Sequence, residues 1–599
     1  MSPLPAQPIA AKRTAKRRAA PLAPVHYRVE AADLHAHLFR VTLTIDQPAA
    51  RQRLSLPVWI PGSYLVRKFS KNLQHLAARQ DGKPVAVHQI DKNHWEADCL
   101  ASHALVLTYE VYAFDASVRT AWLDTQRGFF NGTSLCLRVH DQEQHPHALE
   151  LAAPLPRWEA ATSLMPHRVD ARGFGIYLAD DYDELVDSPV EMGTFWSAKF
   201  KAGGVTHRFV VSGAPRAFDG ERLIADTRKI CETAIRFWHG RKRPPFKRYV
   251  FMLHAVDDGY GGLEHRHSTA LIAGRRDLPQ LKDPRQSDGY TTLLGLISHE
   301  YFHTWNVKRL RPAEFVRYDY DHENYTELLW FFEGFTSYYD DLLLRRCDLI
   351  DDATYLRLLN KTLNQVMQAP GREVQSVAQA SFDAWVKYYR QDENTPNATI
   401  SYYTKGALVA LCLDLTLRAE GRTTLDDVMR ALWVRCKGGP MTEADLADTL
   451  QALGGRAFTR ELAAWVHGTR DLPLQPLLQG AGVQVSHEPS AVQQALGLRA
   501  SESAGTIQIK TVLRGSAAEQ AGFAAQDEWL AIEVGGEGWR ITKLDDIALY
   551  AGPQRKLTAL VARDRRLLRL ALTLPTGATT WRLGLAQAER VRIWLAGNA

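Results

Sequence analysis

The chain has 599 residues, is 45% hydrophobic and 23% charged, and carries a formal net charge of +6. That length exceeds what one hydrophobic core can organise and predicts roughly two to four domains. The composition excludes a collagenous, low-complexity or disulfide-stapled chain. Five of the positive charges are Lys12, Arg13, Lys16, Arg17 and Arg18; without them the body is nearly neutral, and no nucleic-acid partner is expected.

No stretch reaches the about 18 apolar residues of a membrane helix; the nearest, 407–417, is interrupted by Asp414 and reads as a buried helix. The first 25 residues lack the apolar core of a secretory signal. The cysteines, at 99, 136, 231, 347, 412 and 436, show no C-x-x-C pair and are expected as free thiols. A cytoplasmic protein with no membrane association is the expectation.

Residues 1–23 read as a disordered basic tail. From 24 to 204 the signals are strands: 35–45, 104–112 and 134–139 alternate apolar with polar residues between Gly, Pro, Asn and Asp turns. This predicts a β-sandwich-like domain. Inside it, Leu56-Pro-Val-Trp-Ile-Pro-Gly-Ser-Tyr-Leu-Val-Arg67 reads as an ordered loop, lining a cleft or packing on a neighbouring domain.

Between 205 and 478 the period changes. A helix over 221–239, a strand over 248–256, and helices over 288–306 and 324–346 are predicted, with more helices through Trp465. In Gly259-Tyr-Gly-Gly-Leu-Glu264-His265, three glycines precede an acidic residue. The spacing fits a loop leading to a strand over 269–272; a carboxylate there would suit a substrate ammonium, or the stretch is simply a turn. Ile400-Ser-Tyr-Tyr403-Thr-Lys-Gly406 opens a further helix, and Tyr403 is either an oxyanion donor or a packing residue. Residues 479–599 form a last domain, a small sheet with two helices.

The chemistry centres on His299-Glu300-Tyr301-Phe302-His303. On a helix, residues four apart share a face, so the two imidazoles can meet at one zinc ion while Glu300 reaches a water beside it. Two imidazoles leave a catalytic zinc short of a protein ligand. Glu333 is the choice, on the next helix and followed by Gly334, which permits close approach.

These stretches together resemble the glycyl aminopeptidase family, PDZ-containing gluzincin zinc metallopeptidases, over roughly residues 25–580. The resemblance is carried by Trp59-Ile-Pro-Gly-Ser-Tyr64, Gly261-Gly262-Leu-Glu-His265, His299-Glu-Tyr-Phe-His303 continuing to Asn306-Val-Lys-Arg-Leu-Arg-Pro312, Trp330-Phe-Phe-Glu-Gly-Phe-Thr-Ser-Tyr-Tyr339 and Tyr403-Thr-Lys-Gly406. Between His303 and Glu333 lie 29 residues, longer than in the related larger aminopeptidase family and similar to the glycyl aminopeptidases; the shorter spacing would fall on His322, whose neighbour Glu323 is the fallback ligand. The resemblance implies a multidomain α+β fold: an N-terminal β-rich domain, a thermolysin-like, mainly helical catalytic domain, and a PDZ-like domain marked by Gly515-Ser-Ala-Ala-Glu-Gln-Ala-Gly-Phe523, in which Ala517 replaces the usual Pro.

It further implies one zinc per chain on His299, His303 and Glu333, with Glu300 as general base, Tyr403 stabilising the tetrahedral intermediate, and Glu264, with Gly261 and Gly262, binding the substrate's free α-amino end. The expected activity is removal of N-terminal residues, Gly or Ala preferred, from peptides; a peptide ligand at the PDZ-like domain is a further expected partner. Tyr260, Phe302 and Trp330 stand as candidate pocket walls. The rival readings are a zinc endopeptidase whose PDZ-like domain grips substrate C-termini, and a non-catalytic peptide-binding scaffold.

Overall fold

Residues 22–597 are described by a computed structural model; the basic cluster at 12–18 lies outside them. Alternation of buried and exposed residues along Val25–Asp33, Leu38–Ile45 and Leu105–Tyr112 makes these strands half-buried. They lie side by side in an eight-stranded sheet, with Val41 opposite both Val29 and Tyr109. A one-residue slip would turn Tyr27, Val41 and Leu107 out of the core, which is what holds the register. Two four-stranded sheets complete this β-rich region.

The strand predicted over 134–139 is instead a short helix, Gly132–Leu135, and a two-residue strand, Arg138–Val139. Three tyrosine hydroxyls account for the difference. Those of Tyr109, Tyr182 and Tyr27 donate to the carbonyls of Leu135, Cys136 and Leu137 at 2.7, 2.8 and 2.6 Å. The backbone polar groups that a neighbouring strand would satisfy are taken by side chains.

A second sheet has five strands: β1 (Trp196–Ala202), β2 (Val205–Ser212), β3 (Arg248–Val256), β4 (Gly261–Glu264) and β5 (Ser268–Gly274), in the order β1-β2-β3-β5-β4. β4 is therefore a free outer edge, paired antiparallel to β5 from Gly261 with Ile272 to Glu264 with Thr269. Where the spacing fits a loop or turn, the glycine-rich stretch is itself strand.

Helix α1 (Gly220–His239) packs on this sheet, and α2 (Asp288–Phe302), α3 (Leu329–Arg346), α4 (Asp352–Met367) and α5 (Thr404–Glu420) build the lobe beyond it. α2 starts where Ser287 Oγ accepts from the Tyr290 N–H at 3.0 Å, with Asp288 in the first turn. α2, α3 and α5 are buried on nearly every face, from Leu293 and Ile297 to Phe331, Phe335 and Leu411, as interior helices must be. Tyr301 ties α2 to the sheet through a 2.9 Å hydrogen bond between its hydroxyl and His207 Nε2.

Past the helical lobe, β6 (Val483–Pro489) pairs with β7 (Thr579–Leu585), and α6 (Ala588–Ala596) follows. Asn364 of α4 donates to the Trp581 carbonyl and accepts from the Trp581 N–H, both at 2.9 Å. Val483, Leu583, Trp594 and Leu595 share the hydrophobic cluster of the site helices, whereas the six-stranded sheet between β6 and β7 has its own core around Ile507, Trp529, Ile532 and Ala559. That small unit stands on a two-stranded stem and touches the main body again where Asn397 bridges the Val512 carbonyl and the Arg514 N–H, at 2.9 and 2.8 Å. No described helix is long and apolar enough to cross a membrane.

Candidate active site

His299 in the last turn of α2 and His303, its C-cap, place their ring centroids 4.6 Å apart and nearly perpendicular. Both Nε2 atoms face Glu333 of α3, at 3.6 Å from His299 and 3.2 Å from His303 to the same Oε2. All three ligand atoms lie within 4.8 Å of one another. Glu323, the fallback, is not part of this group, and its neighbour His322 is exposed and paired with Asp319 at 3.0 Å.

The other ring nitrogens fix which atoms are free. His299 Nδ1 donates to Asp340 Oδ2 at 3.0 Å and His303 Nδ1 to the Asn306 carbonyl at 2.7 Å, so Nε2 is the nitrogen that each ring turns toward Glu333. Asp340 lies two helical turns beyond Glu333, on the same face of α3. Asn306 is held in turn by its Nδ2, which donates to the Phe332 carbonyl and Thr336 Oγ1, both at 3.2 Å.

The electrostatics suit a cation. Burial disfavours the charge of Glu333, but His303 and His299 hold its carboxyl down at about 2. Burial pulls both imidazoles down in turn, yet Asp340 and Glu333 raise His299 well above the ordinary histidine value, and Glu333 raises His303. Among the described residues no lysine or arginine neutralises Glu333, whose ion-pair partners are these two histidines. A buried carboxylate shared by two imidazoles whose remaining nitrogens are tied down fits a divalent metal.

Glu300 is buried, and its Oε2 has no hydrogen-bond partner among the described residues. Burial pushes its carboxyl up to about 7, against the opposing pull of His303 and His299. Its Oε1 lies against Gly262 of β4, where a Cβ would come within 2.1 Å. Gly62, in the loop after Trp59, has φ +93° and lies against the Glu264 carboxylate; a Cβ there would be 2.5 Å from Oε1. Only glycine gives both the left-handed backbone and the close approach.

That loop packs on the neighbouring helical lobe and also reaches Glu264. Trp59 donates from Nε1 to the Asp319 carbonyl at 2.7 Å and stacks edge-on to Trp385, while the glycine three residues on touches Glu264. Tyr403 caps α5 with its ring 6.2 Å from that of His299. Burial, with Glu333 nearby, raises its phenol well above the ordinary tyrosine value, so it stays a proton donor. Gly334 and Gly406 let α3 and α5 cross backbone to backbone: a Cβ on Gly334 would meet the Gly406 main chain at 2.5 Å. The close approach reserved for Gly334 is thus by the helix that carries Tyr403.

Of the wall candidates, Phe302 and Trp330 are fully buried in the core, Phe302 against Tyr339 at 5.3 Å; only Tyr260 is exposed. Beneath Glu264 runs a network that no motif or spacing announces. Asp187 of the β-rich region accepts from Lys308 Nζ at 2.7 Å, His265 Nδ1 at 3.1 Å and the Arg266 N–H at 2.8 Å. A second metal-like group, His94, His140 and Asp321, also comes together, but Arg138 donates to Asp321 at 3.2 Å and already supplies the positive charge.

Residues 26–194 match the model of the Peptidase M61 N-terminal domain, and residues 292–409 that of the M61 glycyl aminopeptidase. A crystal structure of an aminopeptidase N family protein from Idiomarina loihiensis superposes with a TM-score of 0.91 at 38% sequence identity, over 95% of this chain and 100% of that one. The chain belongs to the M61 glycyl aminopeptidase family. It is, with that family, a metallopeptidase. An M1 zinc metallopeptidase from Deinococcus radiodurans gives a TM-score of 0.48 at 16% identity, over 75% of this chain and 94% of that one. No curated protein matches.

Proposed function

We propose that the protein is a zinc aminopeptidase that removes N-terminal residues, with a preference for Gly or Ala, from peptides. The observation that carries this reading is the convergence of His299 Nε2, His303 Nε2 and Glu333 Oε2 beside the unpartnered Oε2 of buried Glu300. Zinc held by His299, His303 and Glu333 would act as a Lewis acid, activating a water and polarising the scissile carbonyl.

The chain's own groups do the rest. Glu300 Oε2 takes the proton of the attacking water and returns it to the leaving amine, a task suited to a carboxyl raised by burial. Tyr403 donates its phenolic proton in a hydrogen bond to the oxyanion developing on the substrate carbonyl. The substrate backbone pairs along the free edge of β4 at Gly261 and Gly262, and its ammonium sits at Glu264. The packing of Gly62 on Glu264 supports an exopeptidase over an endopeptidase, because loop backbone lies where residues preceding the cleaved one would continue.

The unit between β6 and β7 is read as PDZ-like, with Leu498–Ser503 at one end of its strand order and open to an added peptide strand. Six unpaired cysteines support a reducing, cytoplasmic setting. Hydrolysis of alanyl-alanine amide against its N-acetylated form tests the reading: the free amine should be cleaved and the blocked one left intact, with Glu264→Gln raising KM. Equal cleavage of the blocked peptide would favour the endopeptidase.

A further inference from the structure

Two arginines near β4 form no ion pair among the described residues. Arg119, in the loop before the strand Ala121–Leu123, donates from Nη2 to the Gly262 carbonyl at 3.1 Å. Arg67, at the end of the loop that carries Gly62, donates from Nη2 to Ser63 Oγ at 2.7 Å. In both, Nε is buried and has no hydrogen-bond partner, and neither forms an ion pair with a carboxylate among the described residues. Burial, and then repulsion from Arg119, push the Arg67 guanidinium down to about 10, with Tyr389 and Asp115 only partly offsetting them. Neighbouring cations with unsatisfied buried donors are costly to hold empty and well suited to an anion.

The place of Arg119 on β4 says which anion. Arg119 grips the carbonyl of Gly262, and the α-carbon of that same residue lies against Glu300. Contact distances and the size of one residue keep Arg119 Nη2 within about 9 Å of the Glu300 carboxylate. Along β4 the order is Gly261, Gly262, Leu263, Glu264, so Glu264 is at one end and the Arg119 contact toward the other, in a strand about 10 Å long. A substrate strand whose ammonium sits at Glu264 and whose scissile bond faces Glu300 reaches Arg119 within its second or third residue.

We propose that Arg119, assisted by Arg67, forms a carboxylate-binding subsite that takes the C-terminal carboxylate of di- and tripeptides. This rests on the placement of the substrate amine at Glu264 in the reading above. It makes the enzyme selective for short free peptides over the ends of long chains, because a longer chain presents a neutral amide where these guanidiniums expect an anion.

The test compares kcat/KM of the metal-loaded enzyme on Gly-Ala-Ala, its C-terminal amide, and Gly-Ala-Asp amide, in wild type, Arg119→Lys and the Arg67→Gln/Arg119→Gln double variant. The free acid should exceed both amides by about 10–100-fold in wild type, mostly through KM. The ratio should shrink in Arg119→Lys and fall to within about twofold in the double variant. Equal cleavage of acid and amide by wild type, or a ratio that survives the double substitution, overturns the subsite while leaving the aminopeptidase reading standing. Preference for Gly-Ala-Asp amide equal to that for the free acid overturns the C-terminal assignment in favour of an acidic side chain. Failure to cleave any of the three overturns the aminopeptidase reading itself, and the subsite with it.

Discussion

The carboxylate of Glu300 lies against the α-carbon of Gly262, so that a methyl group there would come 2.1 Å from Oε1. The proposed general base, carried on a helix, and the edge strand proposed to hold the substrate are thereby set at a fixed separation. Gly262→Ala must displace Glu300 or β4, and about a 100-fold loss in kcat is expected for a misplacement of about 1 Å. Retained zinc content together with this loss would show that geometry and not metal binding is damaged; wild-type kcat would refute the placement.

Asp340 accepts from His299 Nδ1 at 3.0 Å and sets that ring's orientation. Asp340→Asn, which keeps the shape but loses the charge, should weaken zinc affinity about 10–100-fold, read by competition with a chromophoric chelator. Asp340→Asn binding zinc as tightly as wild type would make the contact incidental.

Protons and a metal compete for the same nitrogens of this site. His299 is raised well above the ordinary histidine value by Asp340 and Glu333, which outweigh burial. At neutral pH the site must therefore lose a proton as zinc enters. Calorimetric titrations in buffers of different ionisation enthalpy should show proton release, and affinity should rise with pH. A buffer-independent enthalpy would count against it.

Asp187 and Lys308 form a buried ion pair joining the β-rich region to the segment after α2, at 2.7 Å. Burial works against the Asp187 charge, but Lys308 and His265 overcome it and hold the carboxyl well below the usual range. A carboxyl so depressed contributes stability above its unfolded value near about 4, and that contribution fades as pH falls further. Asp187→Asn, which strands the Lys308 ammonium, should cost about 3–5 kcal/mol at pH 7 in denaturant titrations. The gap from wild type should narrow below about pH 4; a gap independent of pH would remove the ion pair as its cause.

Much of the site was legible because its chemistry is local. His299, Glu300 and His303 announce themselves by helical spacing, and Glu333 by its place on the next helix. What could not be read is what the tertiary fold brings together. Arg119 and Asp187 reach Gly262 and His265 across 143 and 78 residues, and no periodicity encodes such a pairing. Residues 134–139 misled because their alternation is that of a strand, while the tyrosine hydroxyls that cap their carbonyls come from distant strands and a helix. Phe302 and Trp330 look like wall residues only until the two buried helices that carry them are packed together.

The most direct test is the zinc content and Gly-p-nitroanilide hydrolysis of wild type and Glu300→Gln, each with and without chelator. The predicted result is about one zinc per chain in both proteins, with turnover only in the wild type, lost on chelation and restored by zinc. Undiminished turnover in Glu300→Gln, or in chelated wild type, would contradict the assignment of this site.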